Sequence, residues 1–373
     1  MTLAWRATAL GLAVSCTLVG CAPAGADAER EPAAATCGLG PLPARGETRT
    51  VLEGDDLREG ASIGVGAVLA DGSVVVSYDL NPIDEDDAEQ MATEKPEPGL
   101  LHLREDSCED VPLPTIDGLT VAADAVPVAA DDEGRLYLFE GWPVLRLVRG
   151  TPSADDWETV VVLPSPSIRS FGYAPDVSVS DTGEVFVGTD FLVSRVTATG
   201  DLEPIIGTGE GDGRNRPLPG TGTFPRAGTS APLTSVTGIA ATPSGTLVLT
   251  SFLKVMEWDP SGTLRLLADP GTPAGQEGAI QERTFAPGDG RIGSVIGHPH
   301  VTDDGDILIG ELLDTGDATT ERLLAIRNGR STVLAELEDF LSPNPGSALF
   351  PGDAAILLRD GGRSLALYGL PAD

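Results

Sequence analysis

The sequence is poor in cationic, sulfur-bearing and imidazole side chains, and each scarcity removes a class of function. Lys and Arg number 24 against 57 Asp and Glu, a formal charge of −33 over 373 residues. A field of that sign repels phosphate backbones and anionic lipid surfaces, so nucleic acid is excluded as a partner and neutral or cationic ones are favoured. Histidine occurs three times, as His102, His298 and His300, and cysteine four times. His298 and His300 offer a metal two ligands where zinc sites want three or four, and the sequence identifies no others to join them. Long apolar runs are also missing. The one near the start, residues 7–19, is shorter than the roughly 20 residues that cross a bilayer and has the length of a secretory h-region.

That run follows Arg6 and ends in Leu18-Val19-Gly20-Cys21. The tetrapeptide resembles a bacterial lipobox. The resemblance implies that residues 1–20 are a signal peptide and that Cys21 becomes the acylated first residue, carrying diacylglycerol and palmitate. The mature protein is then expected at the outer face of the cytoplasmic membrane. Losing Arg6 takes its charge from −33 to −34. Residues 21–46 are Ala, Pro, Gly and Glu without apolar periodicity. They read as a flexible tether with a reach of roughly 25 Å, ahead of one domain over 47–373. With Cys16 cleaved away and Cys21 acylated, Cys37 and Cys108 remain in an oxidising compartment, where a disulfide between them is expected.

What the sequence does contain is short apolar runs between turn signals. Over 202–268 it reads LEPIIGTGEGDG, a Gly/Pro/Thr-rich loop, then APLTSVTGIAATPSGTLVLTSFLKVMEWDPSGTLRLLA. Runs of Val, Ile, Leu and Thr bounded by Pro-Ser-Gly read as antiparallel strands joined by hairpins, hence one four-stranded sheet. The glycine-rich loop at 207–213, the approach APLTSVTGIA and the strand pair around Pro-x-Gly together resemble the NHL repeat of bacterial β-propellers. The resemblance covers about residues 170–270. It implies a propeller blade whose first strand lines a central channel.

Turn glycines recur before apolar strands at Gly72, Gly134, Gly183, Gly245 and Gly305, and a weaker copy turns at Gly361-Gly362. Third and fourth strands follow the first five hairpins, which predicts an all-β, six-bladed β-propeller. The sixth copy reads as a first and second strand only, AAILLR and SLALYG. Residues 49–53, RTVLE, are expected to complete that sheet and close the ring, removing exposed edges. Helix is scarce, with one turn expected at 336–341. The acidic loop at 81–98 is read as irregular.

Candidate chemistry is thin. Gly60-Ala61-Ser62-Ile63-Gly64 has the spacing of a hydrolase nucleophile elbow, but it leads into a strand rather than a helix, so Ser62 is read as structural. The 207–213 run has no helix behind it to receive a phosphate. Asp84, Glu85, Asp86 and Asp87 lack the spacing and mid-loop glycine of a calcium loop, and read as solvated. Counting back five from the turn glycines gives Ala67, Ala129, Ser178, Ala240 and His300, so one position of five on the channel carries an imidazole. Asp176, His298 and His300 are the candidate channel contacts. Gluconolactonase-like propellers, the nearest enzymes in shape, hold a divalent metal by Glu, Asn and Asp at first-strand starts; here only Asp176 is such a residue, and the equivalent positions carry Pro127, Gly238 and His298. No cofactor and no catalytic set is expected. The favoured reading is a lipid-anchored extracytoplasmic propeller that binds an envelope protein, a peptide or a glycan. The alternative is a metal-dependent, lactonase-like hydrolase or lyase that uses the channel.

Overall fold

A computed structural model describes residues 37–370 apart from 81–96, 117, 123–124, 141–144, 153, 164–175, 190, 209–225, 232, 234–235, 243, 252–253, 269–293, 303, 315–318, 328–329, 338–347, 350–353 and 360–362. Cys21, the signal segment and Asp84 to Asp87 lie outside the described residues. The chain forms a six-bladed β-propeller. Its innermost strands are Ser62–Val68, Val126–Ala130, Asp176–Val179, Val236–Ala241, Ser294–Val301 and Ala348–Leu349, each neighbouring the next and the last neighbouring the first. Blades are numbered 1 to 6 in that order. Blades 1, 2, 3 and 5 are four-stranded antiparallel meanders, and blade 4 adds a short outer strand, Arg226–Ala227, against Thr263–Ala268.

The turn glycines set the phase of this repeat. Gly72, Gly134, Gly183, Gly245 and Gly305 all take φ between 76° and 82°, a region that costs a residue with a Cβ. Each also donates its N–H to a carbonyl three residues back, for example Gly134 to Asp131 and Gly305 to Thr302. The apolar runs are continuous rather than alternating because both faces of each blade are covered. In blade 1, Val74 and Val76 pack toward blade 6 while Val75 packs toward blade 2, all at 1% exposure or less. Six apolar clusters result, one between each pair of neighbouring blades. No single centre holds the fold, so stability is distributed around the ring.

Closure runs through the N-terminus as expected. Thr48–Glu53 pairs antiparallel with Ser364–Gly369, from Thr48 opposite Tyr368 to Glu53 opposite Ser364, and becomes the outermost strand of blade 6. The phase of that blade departs from expectation. AAILLR and SLALYG are its second and third strands, and the innermost is the two-residue segment Ala348–Leu349. Only one strand therefore comes from elsewhere in the chain. A two-residue strand has no periodicity to read, and the two longer runs are buried on both faces in any phase.

Two further expectations are corrected. Of the turn expected at 336–341, Glu336 and Leu337 lie in the strand Arg330–Leu337 and 338–341 lie outside the described residues, while a short helix, Gly54–Leu57, follows the closing strand. Residues 37–46 are not free tether. Cys37 is bonded to Cys108, Cys37 and Leu39 are buried, and Leu39 and Gly40 donate backbone hydrogen bonds to Arg104 (2.7 Å) and Glu105 (2.6 Å) in the turn before Cys108. Arg49 reaches back to the carbonyls of Leu39 and Pro41, and Gly46 bonds Gly369 at 2.8 Å. The ordered domain thus begins by Cys37. Its Pro/Gly composition imitates a linker, and long-range contacts supply the order.

Candidate functional site

The first residue of blade 3's inner strand, Asp176, is the carboxylate that the channel buries. It is 8% exposed and sits opposite Gly188 in the strand pairing. A Cβ on Gly188 would come within 3.0 Å of Val236 and 3.6 Å of the Asp176 Cβ, so the missing side chain leaves the space that the carboxylate and the neighbouring blade occupy. Inner strands have an unpaired edge along the channel, and its N–H groups need acceptors. Blade 3 supplies two of them to blade 4: Asp176 Oδ2 accepts from the Ile239 N–H, and Ser178 Oγ accepts from the Ala241 N–H at 2.8 Å.

The other oxygen, Oδ1, meets Nδ1 of His298, from the inner strand of blade 5. The contact spans blade 4 and joins residues far apart in sequence. His298 keeps 27% of its side chain accessible although it lies deep in the ring, as expected of a ring facing an internal channel. With Nδ1 turned to Asp176, Nε2 has no hydrogen-bond partner among the described residues.

Burial sets the protonation of the pair. Desolvation pushes the Asp176 carboxyl well above its ordinary value, partly offset by the backbone N–H groups of Ile239 and Val177. The same effect lowers His298 to about 4. Both shifts disfavour charge, so the pair at net zero is a carboxylic acid facing a neutral imidazole. It can give and accept hydrogen bonds, and its charge changes when a proton leaves.

His300 follows two residues on in the same strand, half-buried and paired through its backbone with Leu308. His102 lies away from the channel. It is buried in blade 1 with Nε2 2.8 Å from Ser73 Oγ, and burial lowers its pKa. Ser62 opens the inner strand of blade 1 with the short helix before it rather than after it, so the G-x-S-x-G spacing there is no nucleophile elbow. Among the described residues, no group of three or more His, Cys, Asp and Glu side chains is arranged to hold a metal.

Sequence reading missed two buried ion pairs. Glu140 with Arg146 in blade 2, and Glu311 with Arg322 in blade 5, each join second and third strands of blades three apart in the ring. Each glutamate falls six residues after its turn glycine, and that spacing, with a charge inside an apolar run, is the signal that could have found them. Each pair is internally neutral and buried on both sides, so each belongs to the walls of the ring rather than to a ligand site.

No family model matches the chain, and no curated protein is significantly similar to it in sequence. Among solved structures, a protein of unknown function from Bacteroides thetaiotaomicron matches with a TM-score of 0.51 at 12% identity, over 87% of this chain and 72% of that one. A putative gluconolactonase gives 0.49 at 11% identity, over 90% of this chain and 97% of that one. A gluconolactonase from Xanthomonas campestris gives 0.45 at 15% identity, over 90% and 100%. At such identities the likeness is one of fold, carried by the first of the three.

Proposed function

We infer that the chain is a lipid-anchored, extracytoplasmic propeller that binds a polar ligand, a segment of protein, peptide or glycan, in its central channel. The observation that carries this reading is the Asp176–His298 pair, two polar side chains brought from non-adjacent blades to the channel wall. A buried polar pair is costly unless each group has partners, and a ligand that bonds Nε2 supplies one. The Cys37–Cys108 bond supports an oxidising compartment, and the lipobox at Cys21 supports the anchor.

The channel reading is tested with the Cys21→Ser chain on a glycan and peptide array and in pull-downs from envelope extract. A ligand retained by that chain should be lost when Asp176→Asn or His298→Phe is added. Equal retention by all three would place the binding surface elsewhere. The anchor is tested separately: a labelled fatty acid fed to producing cells should mark the wild type and leave Cys21→Ser unmarked, and label on both would remove it.

A further inference from the structure

We propose that the channel site takes a cationic amine, such as a lysine side chain of a peptide, and that binding it expels one proton through the Asp176–His298 relay. The proposal rests on the channel being the ligand site and adds the chemistry of what enters it.

The argument starts from missing compensation. Asp176 is a buried carboxyl, and among the described residues no cationic side chain lies on the strands packed around it. Val126–Ala130, Val185–Thr189 and Val236–Ala241 carry no charged residue, and Ser294–Val301 carries only His298 and His300 as titratable groups. The second strand of blade 5, Ile307–Asp314, adds Glu311, already neutralised by Arg322, and Asp314, which is acidic. Buried charges elsewhere in this protein are matched by Arg, as at Glu140 and Glu311. At Asp176 no described side chain supplies the matching charge, which leaves it to a proton or an entering cation.

The relay states what changes. In the neutral pair the proton sits on Asp176, Nδ1 of His298 accepts from it, and Nε2 carries the ring N–H toward the channel. When an ammonium group arrives, the Asp176 proton passes to Nδ1 and the Nε2 proton leaves to solvent. The pair is then a carboxylate holding an imidazole whose Nε2 lone pair accepts an N–H from the ammonium. One proton is lost, the pair goes from zero to −1, and the entering cation balances it. The backbone N–H of Ile239 on Oδ2 stabilises the carboxylate in this state. The net charge of −33 concentrates cations around the molecule, and the relay makes the channel selective among them by requiring a hydrogen-bond donor. Because binding releases a proton, affinity rises with pH, by up to about tenfold per unit while the pair is protonated, and levels off once it is not.

Calorimetry on the mature protein in detergent, in two buffers of different ionisation enthalpy, measures the proton count directly. The probes are trilysine and cellotriose. Trilysine should bind with release of about one proton per peptide, and both binding and release should be lost in Asp176→Asn and His298→Phe. The amide oxygen introduced by Asp176→Asn still accepts from the Ile239 N–H, so that variant should melt as the wild type does. Trilysine binding without proton release, or unchanged by Asp176→Asn, would assign it to the surface field and overturn the proposal, as would no binding at all. If cellotriose instead binds without proton release and is lost in the same variants, the channel is the site and the cation inference fails.

Discussion

A mature chain lacking residues 22–53 should lose the single cooperative melt of the intact protein and aggregate, whereas one lacking only 22–36 should melt unchanged. The strand Thr48–Glu53 supplies the outer edge of blade 6, and with residues 37–39 it contributes Leu39, Val51 and Leu52 to the cluster between blades 6 and 1. Leu52 is 1% exposed there, and burying a leucine of that kind is worth about 2 kcal/mol before its neighbours are counted. Its removal also uncovers a sheet edge and the flank of blade 1 together, which invites pairing between molecules. Differential scanning calorimetry with size-exclusion chromatography reads both effects. If the longer deletion melts like the mature protein, the N-terminal strand does not hold the ring shut.

The second large effect is expected from the disulfide. Replacing both Cys37 and Cys108 by Ala should cost about 4 kcal/mol, the chain-entropy value for opening a loop whose ends are 71 residues apart. In urea this appears as a lower midpoint with a steeper slope, because the unfolded chain, freed of the cross-link, exposes more surface. Peptide mapping of exported protein that finds both thiols free, or an unaltered midpoint in the double variant, would count against it.

The features of the fold legible in the sequence are those written in local chemistry. Five glycines forced to positive φ mark five hairpins, and apolar runs such as Val74-Val75-Val76 mark strands covered on both faces. The same double burial hides the phase of a blade, because a second or third strand looks like a first. That is why the role of Ala348–Leu349 was missed. The order of residues 37–46 was hidden for a different reason: it depends on Cys108, Arg104, Glu105 and Gly369, all distant in sequence. At the candidate site, Asp176 and His298 were legible one at a time, each seven residues before its turn glycine, although His298 proves to lie in the middle of its strand, Ser294–Val301, and only Asp176 opens one. Their contact was not, because it skips a blade, and the room around it depends on a side chain that Gly188 lacks.

The position of the disulfide relative to the closing strand has a mechanical consequence. Cys37 precedes Thr48–Glu53 in the chain, and its partner sits in the outermost strand of blade 1, so the closing strand lies within a covalent loop. Tension applied through residues ahead of Cys37 passes along the sulfur–sulfur bond into blade 1. Without that bond the same tension would bear on the backbone hydrogen bonds of Leu39 and Gly40 and then on the end of the closing strand, whose hydrogen bonds to Ser364–Gly369 would break in succession like the teeth of a zipper. With it, the zipper lies outside the line of force, and a pull on the N-terminal segment loads a whole blade in place of a single strand.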